Sequence, residues 1–133
     1  MKNIKYLIQF VIILFFFLIF KIIGYKNASN LGSKIGRYFG RLVRSEKIIL
    51  KNISNIEEYT NSKIDNKNKI VNSVFSNYGR ILSDYIYLNK FRDGSLKKFV
   101  NIKGSKHLEE IKLKNKKVVF VSGHFNNFEL MAM

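Results

Sequence analysis

The front of this chain constrains it more than any other feature. From Tyr6 to Phe20 only Gln9 interrupts an apolar run, and Lys21-Ile22-Ile23 extends it to 18 residues. At about 1.5 Å of rise per residue a helix over this run covers roughly 27 Å, close to a hydrocarbon core of about 30 Å. Lys21 can carry its ammonium out to the headgroup level. A core helix apolar on every side would be hard to cover in 133 residues. Lys2 and Lys5 would suit a signal peptide, but the exit Gly24-Tyr25-Lys26-Asn27-Ala28-Ser29 offers no small-x-small cleavage site. A retained anchor is therefore expected. Lys21, Lys26, Lys34, Arg37, Arg41 and Arg44 lie behind the run and only Lys2 and Lys5 ahead of it. The positive-inside rule then places the C-terminal bulk in the cytoplasm.

Charge narrows the partners. The chain carries 24 Lys and Arg against 9 acids, a net charge of +15, which favours acidic surfaces. It has no cysteine, which excludes a disulfide scaffold and thiolate zinc sites. Residues 28–44 project as a basic amphipathic helix. Leu31, Ile35, Tyr38, Phe39 and Leu42 share one face, Lys34, Arg37, Arg41 and Arg44 form an adjacent stripe, and Gly32, Gly36 and Gly40 form a third face. An oily arc beside a cationic arc suits a helix lying in a membrane interface, and equally a core-facing helix with a solvated basic side. Glycines spaced by four cost helix propensity, so they predict close approach of another helix or of a lipid.

Further on, a short helix is expected over 45–59 and a polar connection over 61–69. A longer helix is expected from about Asp65 to Phe91, on the recurrence of Ile70, Val74, Tyr78, Ile81 and Tyr85 with Val71, Phe75, Leu82 and Ile86 beside them. Arg92-Asp93-Gly94-Ser95 closes it. The texture then changes to a strand at Lys98–Ile102, a helix capped by Ser105, and a buried-type strand at Val118–Val121. That order is the opening of a βαβ unit, so the fold class expected is α/β: a transmembrane helix, a helical region, then the incomplete start of an α/β domain. The boundaries are 1–25 for the anchor, 26–96 for the juxtamembrane and helical region, and 97–133 for the truncated α/β part.

One motif carries chemistry: Ser122-Gly123-His124-Phe125-Asn126-Asn127-Phe128-Glu129. Five residues apart on one helix, His124 and Glu129 would point about 140° away from each other. With His124 in a strand-to-helix turn and Glu129 in the first helical turn, the two can meet. The carboxylate would then fix the imidazole tautomer, leaving the other nitrogen as general base toward a hydroxyl in acyl transfer. The competing reading makes Asn126 and Glu129 a helix cap only.

The motif, with Ala28-Ser29-Asn30-Leu31-Gly32, Arg44, Lys51-Asn52-Ile53 and Asn77-Tyr78-Gly79-Arg80 with Asp84, resembles the N-terminal part of the lipid A biosynthesis acyltransferase family, the inner-membrane lauroyl/myristoyl acyltransferases. The family pattern is similar to G-H-F-G-N-W-E, so Asn126 stands for Gly and Phe128 for Trp. The family's Phe-Pro after the Asn52 region, its later strands and its Arg-Pro motif have no counterpart here. The resemblance implies His124 and Glu129 as the catalytic pair, with Arg44 and Asn127 toward substrate. It implies acyl carrier protein as donor, an anionic glycolipid precursor of lipid A as acceptor, and no metal or cofactor. The basic stripe of Lys34, Arg37 and Arg41 would face anionic lipid. The place implied is the inner membrane, crossed once. The rival readings are a membrane-tethered basic module that binds anionic lipid or nucleic acid without chemistry, and an inactive truncated acyltransferase. No nucleic-acid fold signature is present, so no nucleic-acid partner is expected.

Overall fold

A computed structural model describes residues 2–121 with Gly123, Asn126, Asn127 and Leu130, the side chains from Ile4 onward. The described residues are helical, in two compact units, 1–87 and 88–133.

The first unit opens with α1, Lys2–Ile23. Its stretch Ile4–Ile23 is long and apolar enough to cross a membrane, and with 6% of it buried it is not a core helix. Gly24, at φ +77°, breaks the helix in a conformation that side chains rarely adopt. The chain restarts at once as α2, Tyr25–Val43. Then follow α3, Lys47–Thr60, and α4, Lys67–Asp84.

The seam of this unit is α2 against α4, and it is built from small residues. Ser33 and Ser76 hydroxyls meet at 2.6 Å, Arg80 Nη1 donates to Ser29 Oγ at 3.4 Å, and Gly40 stands against the Phe75 ring, so the two helices run antiparallel. A Cβ added to Gly36 would overlap the Phe75 carbonyl oxygen and stand 3.0 Å from the Gly79 nitrogen. One added to Gly79 would overlap the carbonyl of Gly32. The glycine face thus answers to a helix. On α4 the buried line is Val71, Phe75, Gly79 and Ser83, four apart. The line of Ile70, Val74 and Tyr78 turns instead toward α3.

The connection between α3 and α4 is pinned at both ends by asparagines in the left-handed region, Asn61 at φ +50° and Asn66 at φ +60°; the Asn66 side chain accepts from Lys69 N–H. Glu57 braces it, accepting from Lys67 Nζ and, at 2.8 Å, from Ile64 N–H. The Lys67 hydrogen bond first, and the Ile64 N–H second, hold the Glu57 carboxyl below its ordinary value. A carboxyl lowered on folding contributes stability that is complete above its unfolded pKa, about 4.3, and is lost as pH falls through the lower folded value. Exchange of the Ile64 amide relative to its intrinsic rate at each pH, followed by mass spectrometry, should therefore accelerate as the pH is lowered through that window. Glu57→Gln should show the fast exchange already at neutral pH, and slow exchange in that variant would refute the brace.

The expected helix to Phe91 is interrupted. After Asp84 the backbone tightens to a 3-10 turn over Tyr85–Tyr87, where buried Tyr87 donates its hydroxyl to the Phe20 carbonyl of α1. The second unit begins with α5, Leu88–Arg92, closed by Gly94 at φ +82° as the stop signal predicts. It continues through α6, Ser105–Leu113, whose cap is Gly104 at φ +83° with Ser105 as the first helical residue.

Neither expected strand forms among the described residues. Lys97–Phe99 is a 3-10 turn, and residues 118–121 have no regular structure, with Val119, Phe120 and Val121 exposed. A strand persists only when a neighbour completes its ladder, and these two segments find none. The α/β expectation is thus replaced, for the described residues, by an all-helical arrangement.

Candidate functional site

His124 and Glu129, with Ser122, Phe125 and Phe128, lie outside the described residues. The neighbouring backbone is informative. Asn126 sits at φ +43°, and Leu130 N–H bonds the Asn127 carbonyl at 3.2 Å. Left-handed backbone favours Gly and then Asn, so the Asn126 side chain is compatible with the turn a glycine would make. It also places Asn126 away from the extended backbone usual for a helix cap. Gly123 is exposed and Asn127 half-buried.

Arg44 closes α2. Its backbone is extended at φ −137°, its N–H returns to the Gly40 carbonyl, and its guanidinium lies over the Tyr78 ring, 5.5 Å from the centroid. Such a cation–π contact is worth about 0.5–1 kcal/mol on an exposed surface. Arg41 pairs through Nε with Glu46 Oε2 at 2.6 Å, while Lys34 and Arg37 are exposed on the same stripe. The oily arc beside them is not the packing face. Leu31 and Ile35 are half-buried, and Tyr38, Phe39 and Leu42 are exposed, Leu42 at 81%. Three arcs of one helix therefore have three environments: glycines on α4, cations outward, and an apolar strip with few neighbours.

A second polar group lies where α1 meets the bundle, and residue spacing pointed to it only through Asp84. Asp84 is 6% exposed, a buried carboxyl four residues beyond Arg80 on α4. The fully buried Ser83 hydroxyl donates to the Arg80 carbonyl at 2.7 Å. Tyr25 meets Tyr87 edge to face with ring centroids 5.6 Å apart. Burial pushes the Tyr25 hydroxyl above its ordinary value, the Asp84 carboxylate adds to the rise, and Arg80 partly offsets it. Burial alone raises Tyr87. Both phenols therefore stay protonated donors, and the Tyr87 bond to Phe20 ties the end of α1 to α4. The readable signal is the four-residue spacing of Arg80 and Asp84, opposite charges on one helix face.

Comparison with known proteins closes the description. A model of the family described as bacterial lipid A biosynthesis acyltransferase matches residues 1–133. No curated protein and no solved structure matches the chain.

Proposed function

The chain belongs to the bacterial lipid A biosynthesis acyltransferase family, and from that premise we propose that it is a membrane-anchored enzyme moving a fatty acyl chain from acyl carrier protein to a hydroxyl of a lipid A precursor. The observation that carries this reading is the Ser122–Glu129 motif inside a family match that spans the whole chain. In this reading α1 crosses the inner membrane once and leaves the rest at the cytoplasmic face. Residues 97–133 carry the catalytic motif.

His124 takes the proton of the acceptor hydroxyl as that oxygen attacks the thioester carbonyl. The new C–O bond forms, the C–S bond breaks, and the proton passes to the departing carrier thiolate. Glu129 orients the imidazole and stabilises its charged form, so that the base can supply the about 10²–10⁴-fold usual for general base catalysis. Asn127 holds substrate beside them, and Arg44 holds an anionic group of the acceptor. No metal or cofactor is called for. Acyl transfer by the purified chain from acyl carrier protein to the precursor, read as the mass gained by the glycolipid, tests the reading. Its loss in His124→Ala is the decisive result.

The outer arcs of α2 supply the membrane surface. The exposed Tyr38, Phe39 and Leu42 enter the acyl boundary while Lys34, Arg37 and Arg41 meet anionic headgroups, at about 1 kcal/mol per cation near the surface. Because the chain has no native cysteine, a polarity-sensitive dye on Leu42→Cys reports this face alone. Its emission should shift to the blue in nanodiscs containing phosphatidylglycerol. The shift should shrink when Lys34, Arg37 and Arg41 are changed to Gln, and in high salt. Equal emission in anionic and zwitterionic discs would count against an interfacial helix.

A further inference from the structure

Between α3 and α4 lies a groove of about 280 Å³, entirely within the first unit. Ile49, Ile53 and Ile56 of α3 face Ile70, Val74 and Tyr78 of α4. Ile53, 4% exposed, forms the floor, and Ile56, 52% exposed, stands on the outer wall. Branching at Cβ leaves valine and isoleucine few rotamers, so these walls are largely preformed.

The polar groups are not spread evenly. Arg44 and Ser45 belong to the end where α2 passes into α3, Tyr78 marks the same end on α4, and Asn52 stands in the second turn of α3. The short connection between α3 and α4 brings Ile56 toward Ile70 at the other end, which is apolar. From Ile48 to Ile56 the helical rise gives the groove a length of roughly 12 Å. One polar end and one apolar length match a single-chain segment of an amphiphile. The volume lies at the lower limit of the about 300–1,000 Å³ usual for ligand pockets. It admits part of one hydrocarbon chain and excludes a whole glycolipid.

Charge fixes the head. Arg44 lines the groove with its guanidinium over Tyr78, and exposed Lys47 and Lys51 lie on the first turns of α3. The nearest acid in sequence, Glu46, is paired with Arg41. A stacked guanidinium still presents N–H groups in its plane, matched to a phosphate. A chain carrying α1 is held where phospholipid is abundant.

We propose that this groove binds one acyl chain of an anionic, phosphate-bearing membrane lipid, with the phosphate on Arg44 and the chain running along Ile53 toward Ile56 and Ile70. The groove shares no residue with the Ser122–Glu129 motif, and Arg44, which the catalytic reading gives to an anionic group of the acceptor, is the one residue the two readings have in common.

The test uses the full chain in phosphatidylcholine nanodiscs doped with phosphatidic acid bearing a diazirine in one tail. Irradiation followed by peptide mapping should place cross-links in 48–56 and 70–78. Arg44→Gln should lower that labelling about tenfold and leave labelling of α1 unchanged. Ile56→Trp blocks the outer end without removing a buried side chain and should lower it similarly, with helical content preserved by circular dichroism. His124→Ala should label as the parent chain does, so failure here and failure of the catalytic reading are distinguishable. Undiminished labelling in both Arg44→Gln and Ile56→Trp would overturn the proposal. Equal groove labelling by diazirine phosphatidylcholine, or full competition by laurate, would also overturn it.

Discussion

Gly36→Ala should destabilise this protein, although helix propensity alone predicts the reverse. An alanine in a helix interior is favoured over glycine by about 1 kcal/mol. At Gly36 the added Cβ would overlap the Phe75 carbonyl oxygen, and at Gly79 it would overlap the Gly32 carbonyl. Backbone cannot rotate out of the way as a side chain can, so α2 and α4 must move apart along their seam. Overpacking of this kind costs about 1–3 kcal/mol, more where the opposing group is rigid. With the overpacking cost in the upper half of that range, the net expectation is a loss of about 1–2 kcal/mol for Gly36→Ala or Gly79→Ala after the propensity gain is deducted. For a unit of this size that lowers the thermal midpoint by on the order of 10 °C. Gly40 provides the internal control. Its Cβ would meet the Phe75 side chain, 2.5 Å from Cδ1, 2.8 Å from Cγ and 2.9 Å from Cβ, and a side chain can shift more readily than a helix carbonyl. Gly40→Ala should therefore cost clearly less. Circular dichroism melts of the three variants in one detergent check the ranking. A higher midpoint for Gly36→Ala than for the parent would show that propensity, not contact, governs the seam.

That seam also shows what the sequence made legible. The period of the apolar residues located α2, α3 and the start of α4 to within about three residues, though not the end of α4 at Asp84, and the four-residue spacing of glycines announced a close neighbour. Counting apolar residues on α4 favoured the line Ile70, Val74, Tyr78, Ile81 and Tyr85. The most buried line is Val71, Phe75, Gly79 and Ser83. Gly79 and Ser83 add little to any hydrophobic count, yet their small size lets the α2 backbone approach. Asparagine was similarly underread. Asn61, Asn66, Asn115 and Asn126 all take positive φ, turn positions usually announced by glycine and here held by the next best residue. The strands failed for a different reason. The β-rich composition of Lys98–Ile102 and Val118–Val121 is a local signal, whereas a sheet depends on partners that no local pattern supplies. Of the site residues, the sequence pattern flagged Arg44, and the structure adds what composition could not: its stacking on Tyr78 and the groove behind it.

His124→Ala should reduce acyl transfer by about 10²–10⁴-fold, the share usually carried by a positioned base. The acceptor hydroxyl is far too weak an acid to lose its proton unaided, and no other side chain in the Ser122–Glu129 motif takes that proton as imidazole does. Membrane insertion should survive, because the anchor α1, its Tyr87–Phe20 tie and the α2–α4 seam contain neither member of the pair. Glu129 acts through His124 as a positioning residue, so Glu129→Gln should lower the rate less than His124→Ala. The combination separates this role from a mere helix cap. If Glu129 only orients and charges the imidazole, the double variant should be no slower than His124→Ala, since removing the base removes all that Glu129 can influence. If Glu129 instead caps a helix, its loss should lower helical content and slow the double variant further. The measurements are initial rates with acyl carrier protein and lipid A precursor, the membrane-bound fraction, and circular dichroism. A His124→Ala protein that inserts normally and transfers acyl chains at the parent rate would remove the catalytic assignment, and with it the reason to read Asn127 as a substrate contact.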